Sequence, residues 1–398
     1  MQRILALFFG TLLFSSCHEH QPLEIISERS PYGDFYMIVD SLSIPISENQ
    51  HFIYPQFSTV VKDDSLFMLG YNQFRHSIDV FNLTGETYTN TINLEREGPN
   101  GIPEVISFTA SSLDSIYIVS SFQISLMSSS GVIKDKTMIN VPNSAIKGHN
   151  SEEAFFWVEK NEPVHYNEKR NTIYGHYHSM KYEMCDKRRY QNPKMVSGID
   201  LGENRMRRIP AAFPYDKRND CYGFANSLFT TWDGDSLIYN FKHDSNIYIY
   251  DLNRNETSAF DGRSLFTKNE ASPLGCDRCQ DMNHNLDHSL KSVSFERIIR
   301  DPYRKLYYRF HRKELPTDGN AQDYIFSDKD LFISVFDNGM AKTGEMILDN
   351  RPYPSHVAFP GEEGLYVSAP SGENTLNFHI FKIFLTKGTR NQYEFTSD

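Results

Sequence analysis

One short phrase recurs along the whole chain, and it limits the fold more than any other feature. The phrase is a turn residue, a small polar residue, an aliphatic and usually an aromatic. Its fullest setting is Asp235-Ser236-Leu237-Ile238-Tyr239, followed after a polar break by Ile247-Tyr248-Ile249-Tyr250. Two β-branched and aromatic runs split by a short polar break read as a hairpin. Close copies are Asp64-Ser65-Leu66-Phe67 and Asp114-Ser115-Ile116-Tyr117. Looser ones are Asn171-Thr172-Ile173-Tyr174, Arg304-Lys305-Leu306-Tyr307 and Glu363-Gly364-Leu365-Tyr366. The aliphatic anchors Leu66, Ile116, Ile173, Leu237, Leu306 and Leu365 stand 50 to 69 residues apart. Units of this length with several strands each are the mark of a propeller, whose blades bury their faces by stacking in a ring. A β-sandwich gives no reason for one opening phrase to persist through the chain. The expected fold is an all-β, six-bladed β-propeller.

The spacing places blades at about His51–Leu94, Pro103–Val141, Ala154–Ile209, Asn226–Phe260, Val293–Leu348 and Ser355–Leu385. The last blade lacks a clear fourth strand. A strand candidate at Phe35–Ile44 precedes the first blade and would supply it, closing the ring. Residues 35–398 are thus expected to form a single domain. Among 398 residues, 29 Phe and 23 Tyr supply the core such a ring needs. The net charge of −11 excludes general binding to nucleic acid or to anionic lipid.

The N-terminus carries a different signal. Arg3, the apolar run Ile4–Phe14 and the small pair Ser15-Ser16 describe a secretory signal over residues 1–16, too short to span a bilayer. Cys17 directly after them resembles the lipobox of bacterial lipoproteins, with Phe14 where an aliphatic is usual. The resemblance implies that Cys17 is the lipidated first residue of the mature chain, followed by a tether over residues 17–34.

In a four-stranded blade, the loops joining second to third strands and fourth strands to the next blade share one face of the ring. Every long connection falls in that set: 141–154, 178–194, 210–226, 262–292 and 311–329. One face is therefore loop-bearing and the other plain, and rigid scaffolds tend to carry function in such loops. Cys185, Cys221, Cys276 and Cys279 all lie in these loops, as do the binding-face candidates His178, His311 and His356. Outside the cytoplasm the thiols are expected to form disulfides, and four cysteines allow three pairings. A Cys185–Cys221 bond would tie blade three to blade four, leaving Cys276 and Cys279 to pair or to bind metal. Cys276, Cys279, His284 and His288 offer two thiols and two imidazoles to a tetrahedral zinc, if His284 and His288 sit on a helix. No other cofactor is expected.

Known catalytic signatures are missing. Gln280 stands where haem attachment needs His after Cys-x-x-Cys, and no βαβ context supports a thioredoxin-like site. Gly234-Asp235-Ser236-Leu237 matches the GDSL esterase motif, but the same Ser position recurs as Ser65 and Ser115, so the repeat explains it. Nucleophile-elbow, metalloprotease and phosphate-loop motifs are all lacking.

Glu97-Gly98-Pro99-Asn100-Gly101 resembles the Gly-Pro-Gly loop of secreted six-bladed propellers in Bacteroidota. With Arg300-Asp301-Pro302-Tyr303-Arg304-Lys305-Leu306-Tyr307-Tyr308-Arg309 and the lipobox, the chain resembles a family of Bacteroidota envelope lipoproteins of unknown function. That resemblance implies a TolB-like propeller in the cell envelope, lipid-anchored at the outer membrane. Two functions fit. One is a non-catalytic binding or scaffold lipoprotein meeting an envelope protein or glycan through its loop-bearing face. The other is a propeller enzyme, a glycan hydrolase or lyase, with acid-base residues where the central channel opens.

Overall fold

A computed structural model describes residues 25–26, 35–139, 154–158, 162–179, 186–191, 195–212, 220–315, 328–348, 354–369 and 374–385. Six antiparallel sheets follow one another along the chain, and they form a six-bladed propeller. Blade one holds β3 (Phe57–Lys62), β4 (Ser65–Asn72), β5 (Ser77–Asn82) and β6 (Thr87–Asn93). Blade two holds β7 (Ser107–Ser112), β8 (Ser115–Val119), β9 (Gln123–Met127) and β10 (Ile133–Met138). In blade three, β11 (Ala154–Trp157) and β12 (His165–Asn167) both pair with β13 (Thr172–Ser179), followed by β14 (Val196–Asp200) and β15 (Arg205–Ile209). Blade four holds β16 (Leu228–Asp233), β17 (Ser236–Phe241), β18 (Ile247–Asp251) and β19 (Glu256–Phe260). A helix, α1 (Met282–Lys291), precedes β20 (Ser294–Asp301), β21 (Leu306–Arg312), β22 (Leu331–Phe336) and β23 (Lys342–Leu348) of blade five.

Blade six is assembled from both ends of the chain. Its first three strands are β24 (Ala358–Pro360), β25 (Leu365–Ser368) and β26 (Thr375–Leu385). The fourth is β2 (Phe35–Pro45), paired antiparallel with β26 from Phe35↔Leu385 to Pro45↔Thr375, and β1 (Ile25–Ile26) adds a short edge beyond it. The N-terminal strand thus closes the ring, as the missing fourth strand of blade six predicts.

The repeated phrase is the start of each second strand. All six of its anchors are buried, because the second strand lies inside its sheet and packs against neighbouring blades. The phrase opens on a turn residue because the preceding hairpin is tight. Asp63 and Asp64 both take positive φ in a two-residue turn, the conformation that suits the twist of a hairpin and favours Asp, Asn and Gly. Turns of this first set stay short throughout, whereas the insertions lie on the other set of connections.

Hydrogen bonds knit each blade to the next. Gln56 Nε2 donates to Ile106 O, Ser107 Oγ to Glu162 O and Asn167 Nδ2 to Gly234 O. Arg304 joins blade five to blade six through Gly361 O and Glu362 O. Blade five also contains a buried ion network. Glu345 accepts from Lys342 Nζ at 2.7 Å and His311 Nε2 at 2.9 Å, and Arg309 donates to Ser245 O and Gly262 O. Among the described residues no helix is long and apolar enough to cross a membrane.

Candidate functional site

The first strands of all six blades surround a central cavity of about 530 Å³. Their side chains toward the axis are mostly short, including Ser58, Ser107, Thr109 and Thr230, so the strands leave a channel that they do not fill. Three of the six first strands are irregular. The shift between Ala110 and Ser112 in β7 brings only Ser111 to the lining, whereas the other two put charge in the channel. In blade three the strand is interrupted between β11 and β12, where Glu162 lines the cavity. In blade five the register shifts between Phe295 and Ile298, so Glu296 and Arg297 together face one residue of β21. Such a bulge inserts one extra residue and re-aims its side chains. Its carbonyls are satisfied from blade four, with Asn240 Nδ2 donating to Glu296 O and Thr231 Oγ1 to Ile298 O.

Arg297 lines the channel, and its guanidinium makes no hydrogen bond or ion pair with another described residue. Burial pushes its pKa down, opposed by the Glu162 and Glu296 carboxylates. Glu296 itself is held by Arg312 Nε at 3.2 Å, and Arg312 also donates to Ser355 Oγ at 3.1 Å. Next to Ser355, His356 opens onto the channel and likewise has no hydrogen-bond partner among the described residues. Burial lowers its pKa, Glu296 raises it, and Arg312 and Arg297 lower it further.

Two lysines stand behind this group. Burial lowers the pKa of Lys242, with Glu296 opposing and Arg312 reinforcing. Lys329 donates to Ser289 O and Ser292 O at the C-terminus of α1, where a cation complements the helix dipole. Burial, with Lys242 and Arg312 nearby, brings its pKa down to about 7.

Toward the plain face the polar side chains are paired with one another. Arg300 Nε is paired with Asp233 Oδ2 at 2.7 Å, and Tyr307 donates its hydroxyl to the same oxygen at 2.8 Å. Trp232 stacks on both Tyr174 and His165, cross-strand neighbours in blade three, at centroid distances of 4.0 and 5.3 Å. Burial holds the pKa of His165 down at about 4, so it stands neutral in a rigid aromatic wall.

A cap covers blades four and five on the loop-bearing face. Cys221 is bonded to Cys276 with Cα atoms 5.2 Å apart, joining the connection before blade four to the one after it. Tyr222 stacks on His243 at 3.9 Å. Gly223 has φ +53°, and a Cβ there would meet Asn285 Oδ1 at 1.9 Å, so only glycine lets this segment lie against α1. Asn285 in turn donates to Cys279 O.

The cysteine pairing departs from the Cys185–Cys221 bond expected from loop order. Cys221 takes Cys276, because the two connections flanking blade four fold against each other over it. Cys279 is also disulfide-bonded, and Cys185 lies outside the described residues. The zinc quartet is therefore not assembled. Cys276 and Cys279 are spent in disulfides, so neither offers a thiolate. His284 and His288 do lie four residues apart on α1, but His288 Nε2 donates to Ser272 O at 2.7 Å. No group of three or more His, Cys, Asp or Glu is gathered for a metal among the described residues.

Of the three binding-face histidines, His356 lines the channel. His311 is fully buried in blade five, stacked between Phe295 and Phe332, and cannot meet a ligand at the surface. The side chain of His178, like Cys17, lies outside the described residues. The GDSL-like Ser236 sits in a plain-face hairpin, on the face opposite α1 with its Asp281 cap and His284, the downstream Asp-x-x-His an esterase would need. Arg297 escapes the motif reading altogether. Its only trace in the sequence is a break in alternation, with Glu296 and Arg297 standing together between Phe295 and Ile298.

No curated protein matches the chain. Among solved structures, a member of the DUF4221 family from Bacteroides vulgatus is 18% identical, with a TM-score of 0.73 over 92% of this chain and 100% of that one. A Bacteroides fragilis protein described as a "Putative exported protein" is 11% identical, with a TM-score of 0.53 over 88% of this chain and 96% of that one. The sequence itself matches the family described as "Domain of unknown function (DUF4221)" over residues 34–347, and the chain belongs to that family.

Proposed function

We propose that the chain is an exported, non-catalytic lipoprotein that binds an envelope ligand at the mouth of its channel on the loop-bearing face. The observation that carries this reading is the presence of Arg297 and His356 on the channel wall, neither with a hydrogen-bond or ion-pair partner among the described residues. A rigid ring that leaves polar groups unspent at an accessible opening is prepared to bind. The signal-like residues 1–16 and the description of the Bacteroides fragilis protein support export. Lipid anchoring through Cys17 rests on the lipobox-like Ser15-Ser16-Cys17, and an outer-membrane position on the resemblance to Bacteroidota envelope lipoproteins.

Binding is favoured over hydrolysis by the lining itself. Most glycoside hydrolases need two carboxylates flanking the scissile bond. Of the two carboxylates near the mouth, Glu162 alone lines the cavity, and Glu296 is engaged by Arg312. The test is hydrogen exchange of the full chain with and without a library of neutral and acidic envelope oligosaccharides. Protection confined to residues 55–59, 107–111, 296–300 and 355–360 is expected. Unchanged exchange at all four segments across the library would refute the reading.

A further inference from the structure

We infer that the channel is an oxyanion site, in which Arg297 and His356 receive a carboxylate or sulfate carried by a small ligand. The inference rests on the reading that the channel mouth binds a ligand, and adds its chemistry.

Size comes first. A cavity of about 530 Å³ lies within the range that holds small molecules or the terminal unit of a larger one. Charge is more telling. The chain carries a net charge of −11, yet Arg297 on the cavity wall, with Arg312 and Lys242 behind it, sets three cations against the two carboxylates of Glu296 and Glu162. A local excess of positive charge in an acidic protein favours an anion at that spot.

The disposition of the pairs then selects one residue. Glu296 is engaged by Arg312, and Arg300 by Asp233. Arg297 keeps its fork of donors unspent in a partly desolvated wall, and a guanidinium cannot shed its charge to escape that cost. A planar carboxylate or a tetrahedral sulfate matches the fork in two parallel hydrogen bonds. The β20 bulge brings this residue to the channel wall, and its carbonyls are held by blade four, so the backbone that carries Arg297 is fixed before a ligand arrives.

His356 supplies the second donor. The charged groups that act on it are Glu296 and Arg297 on β20 and Arg312 on β21. Burial and the two arginines disfavour its protonation, Glu296 favours it, and a bound anion adds to the favourable side. Anion affinity therefore rises as pH falls.

The test uses titration calorimetry on the purified full chain with glucuronate, glucose 6-sulfate and glucose at low ionic strength. Saturable heat with at least one of the two acids, and none with glucose, is expected. The two acids separate a carboxylate preference from a sulfate one. Arg297→Gln should weaken acid binding at least tenfold, and Arg297→Lys should keep part of it. His356→Gln, at an accessible position, should weaken it severalfold and flatten its dependence between pH 7.5 and 5.5. Equal binding of glucose, unaltered acid binding by Arg297→Gln, or no saturable heat with either acid would overturn the inference. Protection at the channel mouth by neutral oligosaccharides in the exchange experiment would then show that the binding reading survives without it.

Discussion

The closing strand offers the most direct test of the fold. Ile44 on β2 is fully buried among Tyr54, Leu66, Leu376 and Phe378, where blades six and one meet. Ile44→Ala removes three carbons from a site walled by aromatic rings and hydrogen-bonded strands, which have little freedom to collapse inward. Truncations of this kind cost about 2–5 kcal/mol, and the rigid walls place this one near 3–4 kcal/mol. Domains are typically stable by only about 5–15 kcal/mol, so the loss is a large fraction of the whole. Ser43, one residue earlier, is exposed, and Ser43→Ala should stay within about 0.5 kcal/mol. Guanidinium denaturation of the two variants should show a lowered midpoint for Ile44→Ala with an unchanged slope, the mark of a stability change without altered compactness. A strand that peels off independently would leave the midpoint unmoved and lower only the exchange protection of residues 37–45. Equal midpoints for Ile44→Ala, Ser43→Ala and wild type would refute the closure argument.

Two further outcomes follow from buried chemistry. The Cys221–Cys276 bond spans 55 residues, for which chain entropy predicts about 4 kcal/mol, so the Cys221→Ser, Cys276→Ser double variant should lose about 2–4 kcal/mol and expose residues 262–281 to protease. Unchanged melting and cleavage would remove the pinning role of the bond. Burial alone would raise the Glu345 carboxyl, but His311 and Lys342 outweigh it and hold it at about 2, below its ordinary 4.5. Its contribution is therefore full above about pH 4.5 and is lost as pH falls toward 2. The stability gap between wild type and Glu345→Gln should narrow from pH 5 to pH 3 in urea titrations, and a constant gap would contradict this.

The fold was legible because its signal is repeated. Six copies of one hairpin opening report the same local demand, a tight turn feeding a buried second strand, and the anchors from Leu66 to Leu365 meet it in every blade. Ring closure was legible from a deficit, since β24–β26 need a fourth partner and Phe35–Ile44 had none nearby. The site was legible only in part. His356 drew attention through its loop, but His311 sits at the same kind of boundary and turns inward to Glu345, a difference set by tertiary packing. The disulfide order depends on how two long connections fold over blade four, which no spacing rule encodes. Arg297 depends on a single register shift, and a bulge changes where a side chain points without changing which residues make the strand.

The pairing of β2 with β26 also orders events in time. Asp40 and Lys382 meet across 342 residues of sequence, so the strand made among the first must wait for a partner made among the last. Closing so long a span carries an entropy cost that only completed neighbouring blades can offset, and folds rich in such distant pairings assemble slowly. As the chain emerges N-terminus first, five blades can mature while β2 stays unpaired and, once present, β24–β26 offer an open edge, the kind of surface on which chains join one another. The last step of assembly is thus the one most exposed to chaperone capture or to exchange of β2 between two chains. A truncated product ending before Thr375 would be permanently arrested there, with its first strand intact and nothing to receive it.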